Sequence, residues 1–319
     1  MIETQPLNGN FVTRGRCPAC HATDFETLYQ NRYSEPPIRD YLEWFYSSQG
    51  GVDFEYLQDA DFTLCECSSC NLIFHESILN DATMEVLYEK WIDPQQALEQ
   101  KTSANDLGLY MDHAREIPAL IAYFEKLPAD LSFFDFGMGW GEWALMAKGF
   151  GCKSSGTDLS EERIAFARSN GINILTWDEL PDHEFDFINT EQVFEHIPDP
   201  LGTLRHLSQC LKEGGIVKIS VPSSSGIERR MKTQDWMAEK HTRNSLNAVA
   251  PLEHINCFRR SSITQMGLAA GMEEVKMPMA LQWAYSSEWR GPKKVVKNVL
   301  RPLYRNMLKA NNCVFLRNA

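Results

Sequence analysis

The second half of the chain alternates between short apolar runs and amphipathic segments of about ten residues. The apolar runs are predicted as strands at Leu131–Phe136, Ser154–Thr157, Ile172–Thr176, Phe185–Asn189, Ile216–Val221, Gly271–Met277 and Cys313–Leu316. The helices between them are predicted at Glu142–Phe150, from a cap at Ser160 to Ser169, and at Pro200–Leu211. Strands that alternate with helices in this way run parallel and are joined by right-handed crossovers. The pattern predicts a doubly wound α/β domain over residues 129–319.

The first part of the chain is organised differently. Residues 1–80 contain two tight cysteine groups, short strand-like pieces and one predicted helix around Ile38–Ser47. Residues 81–128 have the pattern of helices joined by loops, and the clearest helix is predicted from an N-cap at Asp112 to Leu127. We therefore expect a small module, a helical linker or cap, and the α/β domain, in that order.

A glycine-rich loop follows the first predicted strand of this domain and opens the next helix. Its sequence is Asp135-Phe136-Gly137-Met138-Gly139-Trp140-Gly141-Glu142, and the strand-loop-helix context is that of a nucleotide-type cofactor site. Glycines there let the backbone approach a ligand closely. A dinucleotide loop has glycine where this chain has Glu142, in the first helical turn that binds a pyrophosphate. The carboxylates of Asp135 and Glu142 favour a cationic ligand, such as the ammonium of a methionine moiety.

A second acidic residue stands at the end of the next predicted strand. Asp158 comes 21 residues after Gly137, where a carboxylate can accept hydrogen bonds from both ribose hydroxyls. The loop and Asp158 together, in this order and context, are a strong signal for a cofactor that carries a nucleoside.

These residues resemble the class I S-adenosylmethionine-dependent methyltransferases over roughly residues 110–319. The matching segments are Asp135–Gly141, Asp158, Phe185–Ile188, Glu191–Pro200 and Leu211–Gly215. The resemblance implies a Rossmann-like, doubly wound sheet of seven strands and S-adenosylmethionine as cofactor. It assigns cofactor contacts to Asp135, Gly137, Gly139, Gly141, Asp158 and Glu191, with Trp177 and Asp178 as candidates beside the adenine. A dehydrogenase and a catalytically silent binding or scaffold protein of the same fold are the alternatives.

Five of the nine cysteines lie between residues 17 and 70. Cys17 and Cys20, and Cys67 and Cys70, form two C-x-x-C pairs separated by 46 residues. Two such turns complete a tetrahedral four-thiolate site, so one structural zinc ion is predicted. Cys65 is a spare. Buried free thiols are the alternative, whereas a thioredoxin-like redox role needs a C-x-x-C pair at a helix start after a strand.

The order of a zinc-binding segment followed by a methyltransferase fold resembles enzymes of carbohydrate biosynthesis, including sugar C-methyltransferases. This resemblance implies a small-molecule acceptor, such as a sugar nucleotide or a lipid-linked sugar.

Two histidines are candidates for a general base, because imidazole titrates near neutral pH. His196 follows the predicted fourth strand, close in sequence to Glu191 and Glu195, either of which could orient its ring. His254 follows the fifth strand on an expected lid, beside Glu253. The alternative is that each histidine orders its loop by capping or hydrogen bonding. We favour His254 for contact with the acceptor and His196 as an orienting or secondary residue.

The net charge and the hydropathy of the chain bear on whether it binds nucleic acids or crosses a membrane. The 31 Lys and Arg residues against 43 Asp and Glu residues give a net charge of −12, which disfavours nucleic-acid binding. No apolar run approaches the ~20 residues of a membrane span, and no signal-peptide pattern is seen, so a cytosolic location is expected.

A basic helical insertion is predicted near residues 286–310. Its segment 290–309 carries basic and apolar positions at helical spacing and no acid, which permits contact with an anionic membrane surface. A solvated basic face is the favoured interpretation.

Overall fold

The computed structural model describes residues 4–58, 60–92, 107–240, 242–285 and 312–319, together with residues 292, 295, 296, 299 and 300. Apart from those five positions, the predicted basic insertion near 286–310, with its possible membrane-contacting segment 290–309, lies outside the described residues.

The strands are numbered in chain order and have the following bounds: β1 Thr4–Asn8, β2 Phe11–Arg14, β3 Phe25–Arg32, β4 Asp61–Cys67, β5 Ile73–His75, β6 Ser77–Leu79, β7 Ser132–Phe136, β8 Lys153–Thr157, β9 Asn173–Ile174, β10 Phe185–Glu191, β11 Leu211–Ser220, β12 Asn256–Cys257, β13 Met272–Val275 and β14 Cys313–Asn318. The helices are α1 Ile38–Tyr46, α2 Asp81–Val86, α3 Leu107–Phe124, α4 Glu142–Gly149, α5 Glu161–Ser169, α6 Pro200–Gln209, α7 Ile227–Thr233, α8 Arg260–Ala269 and α9 Met279–Ala284.

The chain divides into two compact units that do not follow the expected linear boundaries. The first unit comprises Met1–Asp106, Glu195–Gly202 and Pro222–Gln265, and the second comprises Leu107–Phe194, Thr203–Val221 and Met266–Ala319. Segment 222–265 belongs to the first unit because its apolar side chains complete the core of that unit and because β12 pairs with β5. Segment 195–202 is hydrogen-bonded to it through Ile197, whose backbone oxygen accepts a bond from Asn256, and through His196. The pairing of β12 with β5, between residues almost two hundred positions apart, leaves no local pattern in the sequence.

The second unit is built on a seven-stranded sheet in the order β13-β14-β11-β10-β7-β8-β9. Strands β11, β10, β7, β8 and β9 run parallel, and β14 pairs antiparallel with both β11 and β13. The predicted doubly wound, Rossmann-like α/β fold is confirmed. Several strands differ in length from the prediction: β9 shrinks to Asn173–Ile174, β10 continues to Glu191, and β11 begins at Leu211 and not at Ile216.

The core of the second unit forms where apolar strand positions meet α3 and α4. Phe133 of β7 and Phe187 of β10 are fully buried, and both contact the ring of Trp143 in α4. Helix α5 begins as predicted, because Ser160 accepts a hydrogen bond from the backbone of Arg163.

The prediction that Asp112 is the N-cap of a helix is wrong. Asp112 lies inside α3, which runs over Leu107–Phe124, and its carboxylate pairs with Arg115 three residues later. The apolar residues before Asp112 extend the helical pattern, and the helix also accommodates Pro118.

The first unit contains a three-stranded sheet, β1-β2-β6, and a four-stranded sheet, β12-β5-β4-β3. Buried aromatic side chains are prominent in its core, and the rings of Tyr33 and Trp236 both contact the ring of Phe62 in β4. Helix α1 matches the helix predicted at this position and packs four side chains, Ile38, Tyr41, Leu42 and Tyr46, into that core. None of the described helices combines the length and the apolarity that a membrane crossing requires.

Candidate functional site

The glycine-rich loop joins β7 to α4 with three glycines in the left-handed region. The φ angles of Gly137, Gly139 and Gly141 are 70°, 57° and 80°. L-residues rarely adopt such angles, so the sequence requires glycine here for conformational reasons. A side chain at Gly137 would also meet Val193, whose Cγ2 atom lies 2.6 Å from the ideal Cβ position, whereas Gly139 has open space.

Asp158 is hydrogen-bonded directly to this loop. Its Oδ2 atom accepts a bond of 2.8 Å from the backbone amide of Gly139, and its Oδ1 atom accepts one of 3.0 Å from Ser160. Arg163 lies 3.5 Å from the same carboxylate. The two motifs that the sequence places 21 residues apart therefore meet at the carboxyl ends of adjacent parallel strands.

Asp135 is buried at the end of β7, beside the loop. Asn189 of β10 donates a hydrogen bond from Nδ2 to its Oδ1 atom at 2.7 Å. Burial raises the pKa of Asp135 to about 7, and the negative charges of Glu191 and Glu142 act in the same direction. The Asn189 bond and the positive charge of Lys218 oppose this rise, so the carboxyl group titrates near neutral pH.

A buried ion triad adjoins Asp135, and the sequence analysis did not predict it. Lys218 of β11 is buried; its Nζ atom lies 2.9 Å from Glu116 and 2.7 Å from Glu191. Burial alone would raise the pKa of Glu191, but Lys218 holds it below its ordinary value. The only sequence signal was a lysine within the apolar strand Ile216–Ile219, where a charge needs a partner. Glu191 therefore pairs with Lys218 and does not orient His196, which corrects that part of the prediction.

Trp177 and Asp178 follow β9. The ring of Trp177 stacks on His206 with 3.9 Å between centroids and lies 5.9 Å from the ring of Phe136, at the start of the glycine loop. Asp178 is exposed to solvent. An adenine contact by either residue stays a prediction.

The four predicted zinc ligands come together in the first unit. The Sγ atoms of Cys17 and Cys70 are 3.5 Å apart, those of Cys20 and Cys67 are 3.6 Å apart, and all four lie within 4.8 Å of one another. Tetrahedral zinc with Zn–S bonds of ~2.3 Å requires S···S separations of roughly 3.8 Å, so the donor set fits this metal. Cys65 lies outside the cluster.

The two cysteine turns have the same local structure. In each one, the backbone amide four residues after the first cysteine donates to the carbonyl of that cysteine at 2.9 Å: His21 to Cys17, and Asn71 to Cys67. His21 and Asn71 both have φ near 60°. This repeated turn points both thiols of each C-x-x-C pair in one direction, which explains why the spacing predicts the cluster.

The two candidate histidines meet in the first unit, with ring centroids 4.9 Å apart. The Nδ1 atom of His196 lies 2.9 Å from the backbone oxygen of Glu253, and the Nδ1 atom of His254 bonds to the backbone oxygen of Asn247. A carbonyl oxygen only accepts, so each Nδ1 donates and each Nε2 carries a lone pair. Burial lowers the pKa of His196 to about 4 and that of His254 to about 3, which makes both rings neutral at pH 7.

Two acidic residues, Glu253 and Glu195, lie beside these rings and have different partners. Backbone carbonyls orient both imidazoles, whereas the Glu253 carboxylate accepts a 2.7 Å hydrogen bond from Tyr46. The carboxylate of Glu195 is buried and lies 4.0 Å from the Nε2 atom of His196. The donor atoms of Glu195, His196 and His254 all lie within 4.8 Å of one another, so they can share a proton or hold a cation.

A family model described as a methyltransferase domain matches residues 110–276, over half of the chain. The chain belongs to the methyltransferase-domain family. The matched residues include the glycine loop, Asp158, the ion triad and both histidines. The cysteine cluster lies outside them.

Curated relatives of this methyltransferase-domain protein include two named ubiquinone biosynthesis O-methyltransferase. The chain is 26% identical to that of Marinobacter nauticus over 156 residues, covering 44% of this chain and 60% of the relative. It is 27% identical to that of Paramagnetospirillum magneticum over 150 residues, covering 42% and 59%. The chain thus spans about three fifths of the length of these relatives.

Among solved structures, the plantazolicin methyltransferase BpumL in complex with SAH aligns with a TM-score of 0.46 and 14% identity. The alignment covers 75% of this chain and 95% of that chain. The likeness is too distant to bear on the activity of this protein.

Proposed function

We propose that the protein transfers a methyl group from S-adenosylmethionine to a small-molecule acceptor. The observation that carries the proposal is the hydrogen bond between Asp158 and Gly139 inside a methyltransferase-domain chain. It brings an acid suited to a ribose and a glycine loop suited to close backbone approach into one place.

The cofactor would be held by residues of the second unit. Asp158 would accept the ribose hydroxyls, the backbone at Gly137, Gly139 and Gly141 would line the ligand, and Asp135 would face the ammonium of the methionine moiety. Glu191 would add negative charge beside it, and Trp177 and Asp178 would flank the adenine. When bound, S-adenosylmethionine supplies a methyl group on a positively charged sulfur that leaves as a neutral thioether.

The base in this proposal is His254, with His196 in a secondary role. Both rings are neutral, and each presents an Nε2 lone pair because its Nδ1 proton is held by a backbone carbonyl. The proton of an acceptor hydroxyl would pass to the Nε2 atom of His254. His196, whose ring lies against that of His254, would keep this lone pair directed at the acceptor.

The acceptor in this proposal is a sugar nucleotide or a lipid-linked sugar, methylated at an oxygen. The sugar is supported by the resemblance of a zinc-binding segment before a methyltransferase fold to carbohydrate-biosynthesis enzymes. The oxygen is supported by the names of the curated relatives, which are O-methyltransferases.

We further propose that Cys17, Cys20, Cys67 and Cys70 hold one zinc ion. Four thiolates fill a tetrahedral coordination sphere and leave no position for water or substrate, so the role of the metal is structural.

Calorimetry and a methyl-transfer screen test the proposed activity. We expect binding of S-adenosylmethionine and S-adenosylhomocysteine but not of NAD, and transfer of labelled methyl to at least one acceptor among sugar nucleotides, lipid-linked sugars and phenols. Binding of NAD alone would indicate a dehydrogenase. Cofactor binding with no transfer to any acceptor would favour a silent binding protein.

The base assignment has its own test. His254→Ala is expected to lower turnover by ~10²–10⁴ without loss of cofactor affinity, and His196→Ala by less. The exposed His183→Ala is the control. If both variants turn over within a few-fold of the unsubstituted protein, neither histidine is the base.

A further inference from the structure

An aromatic-walled cavity in the first unit carries an inference about the acceptor itself. On α1, Tyr41, Trp44 and Phe45 occupy positions i, i+3 and i+4, so they share one helix face. The cavity has a volume of about 40 Å³ and is lined by Tyr41, Trp44, Phe45, Trp236, Ala238, Lys240, Leu246 and Asn247. A cavity of this size holds one small chemical group. A ring compound would therefore place one substituent in the cavity, and its ring would lie outside against the aromatic side chains of α1.

The wall offers an aromatic surface to such a ring. Tyr41 stacks on Phe45 at 5.4 Å between centroids, and Trp44 lies 6.1 Å from Tyr41. The side chain of Trp44 is 44% exposed, although indole is a large apolar group. The other tryptophan of the cavity, Trp236, is buried against Tyr41. Trp44 is therefore the part of the wall that is available to a ligand.

Lys240 supplies a positive charge at the same cavity. Its Nζ atom lies 5.0 Å from the ring centroid of Phe45, a cation–π distance. Within the described part of the chain, Lys240 forms no ion pair with a carboxylate. An ammonium group held over an aromatic ring without an acidic partner is suited to an anionic group on the ligand.

One residue of the cavity, Asn247, is hydrogen-bonded to His254. The backbone oxygen of Asn247 accepts the Nδ1 proton of that histidine. Lys240 lies close enough for its charge to lower the pKa of both His196 and His254. The cavity thus presents a ring-stacking face and a cation, and Asn247 connects it to the imidazole of His254.

We propose that this cavity binds the acceptor and that the acceptor is an anionic ring compound, either a phosphorylated sugar or a phosphorylated or carboxylated aromatic ring. The ring lies on Trp44, and the anionic group pairs with Lys240. This inference rests on the proposed function and adds to it the charge and shape of the acceptor.

Equilibrium binding to the full chain tests the inference with four probes. Glucose 1-phosphate and phenyl phosphate combine a ring with an anion and separate the sugar from the aromatic source. Phenyl β-glucoside has rings without charge, and inorganic phosphate has charge without a ring. At least one ring anion should bind about tenfold or more tightly than both single-feature probes. Equal binding of all four probes, or no binding of either ring anion below ~10 mM, would overturn the inference.

Matched variants localise the binding. Lys240→Met should weaken binding of the ring anion about tenfold, Lys240→Arg should preserve it, and the exposed Lys232→Met is the control for lost charge. Trp44→Ala should also weaken it about tenfold, with Tyr110→Ala as the control for an exposed aromatic. Unchanged affinity in both Lys240→Met and Trp44→Ala would place the ligand elsewhere and overturn the inference.

The inference and the proposed function can fail separately. Ring-anion binding that depends on Lys240 and Trp44, without methyl transfer to any acceptor, would support the cavity and contradict the activity. Methyl transfer with a KM for the acceptor that neither Lys240→Met nor Trp44→Ala raises would support the activity and contradict the cavity.

Discussion

Asn189 donates a 2.7 Å hydrogen bond from its Nδ2 atom to the Oδ1 atom of Asp135, across the adjacent strands β10 and β7. This bond holds a buried carboxyl group whose pKa is raised to about 7 by burial and by the neighbouring Glu191 and Glu142. The group therefore changes charge in the range where a cofactor must bind. The affinity for a cationic cofactor should therefore depend on pH through Asp135.

We predict that the affinity for S-adenosylmethionine rises as the pH increases from 6 to 8. A carboxyl group with a pKa near 7 is ionised in roughly a tenth of molecules at pH 6 and in roughly nine tenths at pH 8, and only the ionised form attracts the ammonium of the ligand. Calorimetry across this range measures the effect. Asp135→Asn should flatten the profile, whereas Asp158→Asn should lower affinity at every pH. A flat profile in the unsubstituted protein would contradict the prediction.

The contact between Gly137 and Val193 predicts a compensating pair. Gly137→Ala forces an L-residue to φ of 70° and places its Cβ 2.6 Å from Val193, so cofactor affinity should fall strongly. Gly137→Ala/Val193→Ala should recover part of the loss, because the collision is relieved and only the backbone cost of ~1–2 kcal/mol remains. Gly139→Ala meets no neighbouring atom and should show the backbone cost alone. Equal effects in all three variants would contradict the collision.

Lys218→Met should destabilise the protein by about 1–3 kcal/mol, because it removes the buried cation that pairs with Glu116 and Glu191. Denaturant unfolding followed by tryptophan fluorescence measures the change. The control is Arg317→Met, which breaks a pair in which both side chains are 48% exposed and should therefore cost much less stability. The triple variant Lys218→Met/Glu116→Gln/Glu191→Gln should regain part of the stability. A loss no larger than that of the control would show that the triad contributes little.

Elemental analysis of protein purified without chelators should find one zinc ion per chain. Cys67→Ser/Cys70→Ser should lose the metal and lower the melting temperature, because two of the four ligands are removed. Cys65→Ser is the matched control: this cysteine is buried on the same strand but lies outside the cluster, and its replacement should leave zinc bound. Retention of zinc by the double variant would contradict the assignment.

The free energy of unfolding should decrease at acidic pH, because His196 and His254 become protonated more readily in the unfolded chain. Their folded-state pKa values of about 4 and about 3 lie below the ordinary histidine value of 6.5, so the unfolded chain binds protons that the folded chain does not. Stability is therefore full above about pH 6.5 and falls as the pH drops towards about 4. Urea midpoints at several pH values measure the slope. His196→Asn/His254→Asn should reduce the slope, whereas the exposed His183→Asn should not. An unchanged slope in the double variant would contradict this prediction.

The sequence predicted those parts of the fold and site that depend on local patterns. The cap at Ser160 and the start of α4 follow from side chains within a few positions, and so do the strands β7 and β8. The cysteine cluster was also predictable, because a C-x-x-C turn closes on itself and two such turns form one complete ligand set.

The partners of buried charges were not predictable in this way. From their closeness in the chain, Glu191 and Glu195 are alternative candidates to orient the ring of His196. In the structure, Glu191 pairs with Lys218, because the two residues lie on the adjacent strands β10 and β11. Glu116 of α3 pairs with the same lysine. Glu253 is next to His254 in the chain, yet its carboxylate accepts a hydrogen bond from Tyr46, more than two hundred positions away in sequence.

The sequence alone determined the order of strands and helices, the glycine loop, the acid Asp158 and the two cysteine turns, because each arises from interactions over a few residues or from a backbone conformation that only glycine tolerates easily. Tertiary structure alone decided that segments 195–202 and 222–265 complete the first unit. It also decided that backbone carbonyls fix the tautomers of His196 and His254. The physical reason is that a buried apolar face, charge or imidazole must find a partner wherever the fold supplies one, and that partner can come from any point in the chain.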